Sequence, residues 1–370
     1  MNNLQITPVR TANRLAFLAR WLLLGAGFAF VINGAEISQS ATAAERALTK
    51  EQLEKERRTE WFRQAKYGIM FHFVPSMGRF KQIPWTAAEW NAKVDSADVK
   101  KVAQQAADIG AGYVIISLGQ KGDYYCAPNP VYEKHWGFER GQFGSRRDLP
   151  MDLSVELKKR GIKMMLYVTG SPFASPGPAS EKNGWHGQGR QFTRGETSLE
   201  GERLWLECLQ WYSDHYGQAV AGWWVDGMKD FSPGYGKSIH EALRHGNPDA
   251  IITSSDYALS DFLHGHCTGN WEKQQQRLPT RGRLDETYGI QWHAFQYLGH
   301  SWAAKGTKHT TETVAHYATE VIKRGGVITF DIGTFDEQPE IKGPTLEIPE
   351  DQFRQLKAVR DAVATKEPRK

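Results

Sequence analysis

The sequence predicts an α/β fold, a (β/α)8 barrel of the TIM type, on three observations. Short apolar runs alternate with amphipathic helical segments, a pattern that produces right-handed βαβ units and a parallel sheet. Counting the runs, with an uncertain one near Phe262, predicts about eight strands, the number in such a barrel. The length of 370 residues is normal for this fold. A doubly wound open sheet is the alternative, since a sequence does not show strand order.

Each predicted strand is a short, nearly continuous apolar run, as expected for strands buried on both faces of a parallel sheet. The run YVIIS after Gly112 and the run GWWVD at residues 222–226 are the clearest cases. In chain order the predicted strands are residues 67–73, 112–118, 162–168, 222–226, 250–254, 289–298 and 326–332.

The predicted helices have apolar residues at helical spacing between recognisable start and stop signals. Asp98 is a candidate N-cap, and Gly110 and Gly161 follow two of the helices as stops. Residues 48–59 form a charged helix that we expect to pack outside the main body. The other helices are predicted at residues 98–109, 153–160, 199–216, 236–245, 311–324 and 351–364.

The N-terminus has the layout of a secretory signal peptide. Arg14 and Arg20 precede the apolar residues 21–32, and the Ala-rich residues 41–44 follow as a cleavage region. The apolar run is short for a membrane span, which needs about 20 residues, although an uncleaved anchor is the alternative. We therefore expect a leader at residues 1–44, a catalytic barrel domain at residues 45–370, and a secreted or periplasmic protein without a stable membrane partner after leader removal.

The composition excludes several classes of function. Charge is balanced, with 46 basic and 42 acidic residues, and no basic block indicates nucleic-acid binding. Neither a G-x-G-x-x-G nor a P-loop motif follows a strand, so we expect no nucleotide and no other cofactor. The 13 tryptophans are a high count that favours a carbohydrate-facing protein. The oligomeric state stays open.

Cysteine and histidine spacing does not favour a metal site. His264 and His266 could share one face of a strand, but no carboxylate or further cysteine nearby completes a ligand set, so we expect no metal. The three cysteines, Cys126, Cys208 and Cys267, are widely spaced. We expect buried free thiols, with one disulfide as the alternative in an exported protein.

Polar residues follow several predicted strands, where a parallel barrel carries its chemistry. His72 ends the first strand, Gln120 and Lys121 follow the second, Tyr167 ends the third and Asp226 the fourth. These side chains should converge at one mouth. For Asp226 the alternative is a strand-end carboxylate that only caps the next turn, and for His72 it is a satisfied core histidine.

The chain also resembles a known family. Residues 61–72, WFRQAKYGIMFH, are similar to the WFRDAKFGIFIHW opening of glycoside hydrolase family 29, the α-L-fucosidases. Further similarities follow in order: RRDL at residues 146–149, WVDG at 224–227 beside the family's WFDG, SW at 301–302, and the region 323–333 beside SKGGNLLLNVGP. They span most of the chain after the leader. The resemblance implies a barrel fold and an oligosaccharide or polysaccharide substrate.

The resemblance also implies residue roles in retaining glycoside hydrolysis, in which one carboxylate attacks the sugar and another protonates the leaving oxygen. Asp226 corresponds to the nucleophile. Glu272 is the first candidate for the acid/base, in the loop expected after the sixth strand, and Glu286 is the second; His293 could serve instead. The expected substrate-binding residues are His72, Gln120, Lys121, Tyr167, Trp224 and His293.

Departures from the family pattern keep two alternatives open. The family's His-His pair falls on Gln120 and Lys121, its Trp-Glu falls on Trp292 and His293, and its Asn in the last strand is Asp331. We expect no C-terminal β-sandwich of the kind common in the family. One alternative is a glycan-binding protein that has lost catalysis. The other is an enzyme for a different sugar, acidic or sulfated, in which Lys121 pairs with the negative charge of the sugar.

Overall fold

A parallel sheet of seven strands organises the computed structural model, which describes residues 49–76, 85–120, 124–171, 199–227, 232–265, 284–285, 288–336 and 343–365. The strands are β1 (Tyr67–Phe71), β2 (Tyr113–Ser117), β3 (Lys163–Thr169), β4 (Gly222–Asp226), β5 (Ile251–Thr253), β6 (His293–Tyr297) and β7 (Val327–Ile332). Their order is β5-β4-β3-β2-β1-β7-β6, and every neighbouring pair is parallel. Strands consecutive in the chain thus lie side by side from β1 to β5.

Helices connect the strands. The described ones are α1 (Lys50–Ala65), α2 (Ala87–Asp95), α3 (Val99–Asp108), α4 (Pro130–Trp136), α5 (Leu149–Lys158), α6 (Leu199–Tyr216), α7 (Tyr235–Arg244), α8 (Thr311–Lys323) and α9 (Glu350–Ala364). Asp98 caps α3 as predicted, accepting from the backbone N–H of Lys100 and Lys101. The short helices α2 and α4 were not among the sequence predictions.

Alternation along each strand divides the core into two layers. In β1, Ile69 and Phe71 belong to the layer between sheet and helices, whereas Met70 belongs to a second cluster on the other face. We call this second layer the inner cluster. Its buried members are Phe62, Met70, Tyr113, Ile115, Met165, Tyr167, Trp224, Ile251, Phe262, Phe295 and Val327.

Contacts within the inner cluster show that the sheet is curled. The rings of Trp224 in β4 and Phe295 in β6 lie 4.6 Å apart, centroid to centroid. Four strands separate β4 from β6 in the sheet order, which in a flat sheet would place them about 24 Å apart. The sheet must therefore curve until strands near its two edges face each other.

Residues 261–263 connect the two edges. The backbone N–H of Asp261 donates to Ile252 in β5, and its carbonyl accepts from Gln291, just before β6. Phe262 forms a single parallel bridge with Gln291. The prediction of a parallel α/β sheet with the curvature of a TIM-like barrel is confirmed for seven strands. An eighth strand and full closure stay predictions.

Helix α1 differs from its prediction, because it packs into the curled sheet and extends to Ala65. Its Phe62 is fully buried in the inner cluster, with ring centroids 4.9 Å from Tyr113 and 4.7 Å from Phe262. The expectation that this segment lies outside the main body was wrong. The high proportion of charged residues conceals that Lys55, Thr59 and Phe62 share one buried side.

Two further expectations concern the described residues only. Cys126 and Cys208 are buried free thiols, as predicted, while Cys267 lies outside the described residues. Within the described ranges, no helix combines the length and apolar character needed to cross a membrane. Residues 48–370 form one compact unit, and the predicted leader at residues 1–44 lies outside the part of the chain that the structure describes.

Candidate active site

The carboxyl ends of the parallel strands bring four of the predicted site residues to one edge of the sheet. Asp226 is the last residue of β4, and Tyr167 lies near the end of β3. His72 follows β1 directly, and Gln120 follows β2 by three residues. Because the strands are parallel and neighbouring, this juxtaposition follows from the topology that the sequence predicted.

Asp226 is held by hydrogen bonds to both carboxylate oxygens. The Tyr167 hydroxyl donates to Oδ2 at 2.7 Å, and the backbone N–H of Gly227 donates to Oδ1 at 2.7 Å. Gly227 has a φ of +67°, a left-handed conformation that favours glycine. The carboxylate is half-buried, so it is oriented by the protein while remaining accessible. This is the arrangement that a nucleophilic or charge-stabilising carboxylate requires.

Tyr167 remains a hydrogen-bond donor toward Asp226 over the whole working pH range. Its side chain is buried on the inner face of β3. Burial raises the pKa of the Tyr167 hydroxyl well above its ordinary value of 10.0, and the Asp226 carboxylate raises it further. The phenol therefore keeps its proton and remains the donor in the hydrogen bond to Asp226.

His72 is buried beside these two residues. Its ring packs edge-on against Tyr167, with centroids 5.8 Å apart, and against Trp302 at 6.3 Å. Burial lowers the pKa of His72 from 6.5 to about 4, although the Asp226 carboxylate opposes this shift. Near neutral pH the imidazole is therefore uncharged, with one N–H donor and one acceptor nitrogen.

Asp331 lies against His72, although it is not among the site residues that the sequence predicts. Its carboxyl is fully buried at the end of β7, where Oδ1 lies 3.3 Å from His72 Nε2. Oδ2 accepts from the backbone N–H of Ala303 at 2.6 Å. Burial raises the pKa of Asp331 well above 3.8, partly offset by the Ala303 N–H. The sequence shows that Asp331 replaces the Asn of the family pattern. It does not show that Asp331 lies near His72.

Trp302, in the loop between β6 and α8, lies beside His72 at the candidate site. Its ring is half-buried and lies 5.0 Å from Tyr297 and 4.8 Å from Phe295. The predicted Trp224 is fully buried in the inner cluster, and its ring centroid lies 4.4 Å from that of His264. Its role as a substrate contact stays a prediction, whereas Trp302 has the position and exposure to pack on a sugar face.

His293 lies deeper in the inner cluster, at the start of β6. Its Nδ1 is 3.0 Å from the Leu263 carbonyl and its Nε2 is 2.7 Å from Thr329 Oγ1. Its ring also lies 5.6 Å from Trp224. Both ring nitrogens thus have protein partners, and the predicted role of His293 in substrate binding or acid/base chemistry remains untested.

Of the remaining predicted residues, the structure describes Gln120. Gln120 has a buried Oε1 that accepts no hydrogen bond from the described residues. The other predicted residues lie outside the described ones: Lys121, the acid/base candidates Glu272 and Glu286, and His266 of the histidine pair.

The fold is shared with fucose-active glycoside hydrolases. The endo-fucoidan hydrolase MfFcnA9 from glycoside hydrolase family 107 superposes with a TM-score of 0.61 at 17% identity, over 83% of this chain. The α-L-fucosidase AlfC from Lactobacillus casei, in complex with α-L-fucose product, superposes with a TM-score of 0.57 at 16% identity, over 83% of this chain and 98% of its own.

The coverage of the fucoidan hydrolases is partial. This chain spans 64% of the length of MfFcnA9, and it spans 53% of MfFcnA4, another family 107 endo-fucoidan hydrolase, with a TM-score of 0.58 at 16% identity. No known family's sequence profile and no curated protein matches the sequence significantly. At these identities the similarity shows a common fold.

Proposed function

We propose that the protein is a retaining glycoside hydrolase of the α-L-fucosidase type, acting on fucosyl or related bonds in an oligosaccharide or polysaccharide. The observation that carries the proposal is the Asp226 carboxylate, half-buried at the end of β4 and held by Tyr167. Tyr167 also contacts the His72 ring, which in turn contacts Trp302, and this aromatic surrounding supports the proposal. The similarity to fucose-active hydrolases supports fucose as the first sugar to test.

The proposed mechanism has two steps, and both carboxylates take part in each of them. An Asp226 oxygen attacks the anomeric carbon as the bond to the leaving oxygen breaks, and an acid, for which Glu272 is the candidate, transfers its proton to that oxygen. The same group, now a base, then takes a proton from water, which attacks the anomeric carbon and releases Asp226. Two inversions result in net retention. Tyr167 holds the nucleophile's orientation during both steps.

A glycan-binding protein without catalysis is the second candidate function. His293 stands where part of the family has a glutamate, and both of its ring nitrogens have partners inside the protein. If no other residue supplies the acid, the site can bind a sugar but cannot protonate a poor leaving group. This candidate predicts binding of fucosylated glycans with no turnover.

A substrate panel on the purified protein tests the proposal. We expect cleavage of 4-nitrophenyl α-L-fucoside or of fucosylated or fucoidan oligosaccharides, with the α-anomer as the first product detected by NMR. Aryl β-D-galactoside and α-D-glucoside serve as controls, because their hydroxyl arrangement differs from that of L-fucose. First release of the β-anomer would contradict retention. Calorimetric binding of fucosylated glycans without any product would favour the binding protein.

We also propose that the protein is exported and that residues 1–44 are its leader. The basic residues Arg14 and Arg20, the apolar run 21–32 and the Ala-rich run 41–44 support this proposal. N-terminal sequencing of protein from the native host should find a first residue between about 35 and 46. A protein that still begins at Met1 in the cytosol would contradict it.

A further inference from the structure

Three buried polar atoms lie together at the candidate site without any hydrogen-bond partner among the described residues. They are Nδ1 and Nε2 of His72 and Oδ1 of Asp331. The two side chains are 4% and 0% exposed. A buried polar atom that makes no hydrogen bond costs about 1–3 kcal/mol, so native structures rarely keep several in one place without a ligand.

The backbone around Asp331 holds its carboxyl in this orientation. The Ala303 N–H donates to Oδ2 at 2.6 Å, and Ala303 has a φ of +57°, which is uncommon for alanine. The Ala303 carbonyl accepts from the backbone N–H groups of Thr334 and Phe335. One carboxyl oxygen is thus anchored, and the other is directed toward His72. The strained residue fits a functional constraint at this position.

Tyr167 connects these atoms to the proposed nucleophile. The His72 ring contacts Tyr167, whose hydroxyl donates to Asp226, and it also contacts Trp302. A sugar ring placed beside Asp226 and against Trp302 would therefore present a hydroxyl near His72 and Asp331. A hydroxyl can donate one hydrogen bond and accept others, which matches a neutral imidazole N–H beside a carboxyl oxygen.

We propose that Asp331 is a specificity-determining, substrate-binding residue, which together with His72 binds one hydroxyl of the sugar. The hydroxyl oxygen accepts from His72 Nε2–H and donates to Asp331 Oδ1. The 3.3 Å between these two atoms is short enough for one oxygen to lie within hydrogen-bond distance of both. The inference rests on the proposed function, since it places the sugar beside Asp226.

The test compares wild type with Asp331→Asn on 4-nitrophenyl α-L-fucoside and its 2-, 3- and 4-deoxy analogues. The Asn amide oxygen can still accept from Ala303, while its NH2 group cannot accept from the sugar. We expect kcat/KM of the wild type to fall about 10- to 100-fold for one deoxy analogue. In Asp331→Asn the loss of kcat/KM for that deoxy analogue should shrink to about threefold or less. The losses for the other two deoxy analogues should equal those of the wild type.

Thr334→Val is the matched control, because Thr334 Oγ1 donates to the His72 carbonyl without touching either ring nitrogen. We expect it to keep the wild-type pattern of deoxy penalties. Equal losses on all four substrates in Asp331→Asn would overturn the proposal, since a purely structural role affects every substrate alike.

If the wild type hydrolyses none of the fucosides, the proposed hydrolase activity fails while the Asp331 inference is still decided by binding. L-Fucose and its deoxy sugars are then titrated calorimetrically against both variants. The inference is supported if removing one sugar hydroxyl weakens binding to the wild type but not to Asp331→Asn. Absence of any fucose binding by the wild type overturns it.

Discussion

Asp226→Gly should lower turnover of any substrate that the wild type cleaves by at least about 1,000-fold, because no glycosyl-enzyme can form without the nucleophile. The protein should still fold, since Asp226 is half-buried at the end of β4. Added azide should partly restore cleavage of an aryl fucoside. Its nitrogen bonds to the anomeric carbon as the aryl oxygen leaves, and the product is a glycosyl azide of inverted configuration. NMR of the product checks the configuration of the azide, and circular dichroism of the variant checks that it is folded.

Two companion variants separate the role of the carboxylate from that of its surroundings. Tyr167→Phe keeps Asp226 and removes one 2.7 Å hydrogen bond, so we expect roughly a tenfold loss without azide rescue. Glu272→Ala should spare aryl leaving groups, which need little protonation, and slow natural glycosides far more. Wild-type activity in Asp226→Gly would exclude the proposed mechanism.

Asp261→Ala should cause the largest loss of stability. The Asp261 carboxylate is fully buried and accepts from Arg58 at 2.7 Å, from Arg244 at 2.5 Å and from the backbone N–H of Ile252 at 2.8 Å. Its removal leaves two largely buried guanidinium groups without their anion, which costs about 3–5 kcal/mol of unfolding free energy. Thermal denaturation should show a drop in Tm on the order of 10 °C.

Asp249→Ala is the matched control, because Asp249 pairs with Arg57, the residue next to Arg58. Arg57 pairs with Asp249 at the same 2.7 Å, but these side chains are 56% and 64% exposed. Solvent screens such a pair and can replace either partner. We therefore expect no measurable change in Tm for Asp249→Ala. Equal shifts in the two variants would show that burial of Asp261 is not what anchors α1 to the sheet.

Local sequence patterns predicted much of the secondary structure. Residues 199–216 and 222–226 were predicted with the bounds that the structure shows, because helical periodicity and a glycine-bounded apolar run are both properties of neighbouring residues. The convergence of His72, Gln120, Tyr167 and Asp226 was also predictable. It depends only on strand direction, and parallel strands place all their carboxyl ends at one edge.

The sequence by itself determined the alternation of strands and helices and the carboxylate at the end of β4. Tertiary structure alone decided which side chains meet across the curled sheet. Asp331 lies near His72 because β1 pairs with β7, with Met70 opposite Asp331 in register. Curvature brings Phe62 of α1 into the inner cluster, where His293 also packs. Strand order, register and curvature arise from contacts between residues far apart in the chain, so no local pattern encodes them.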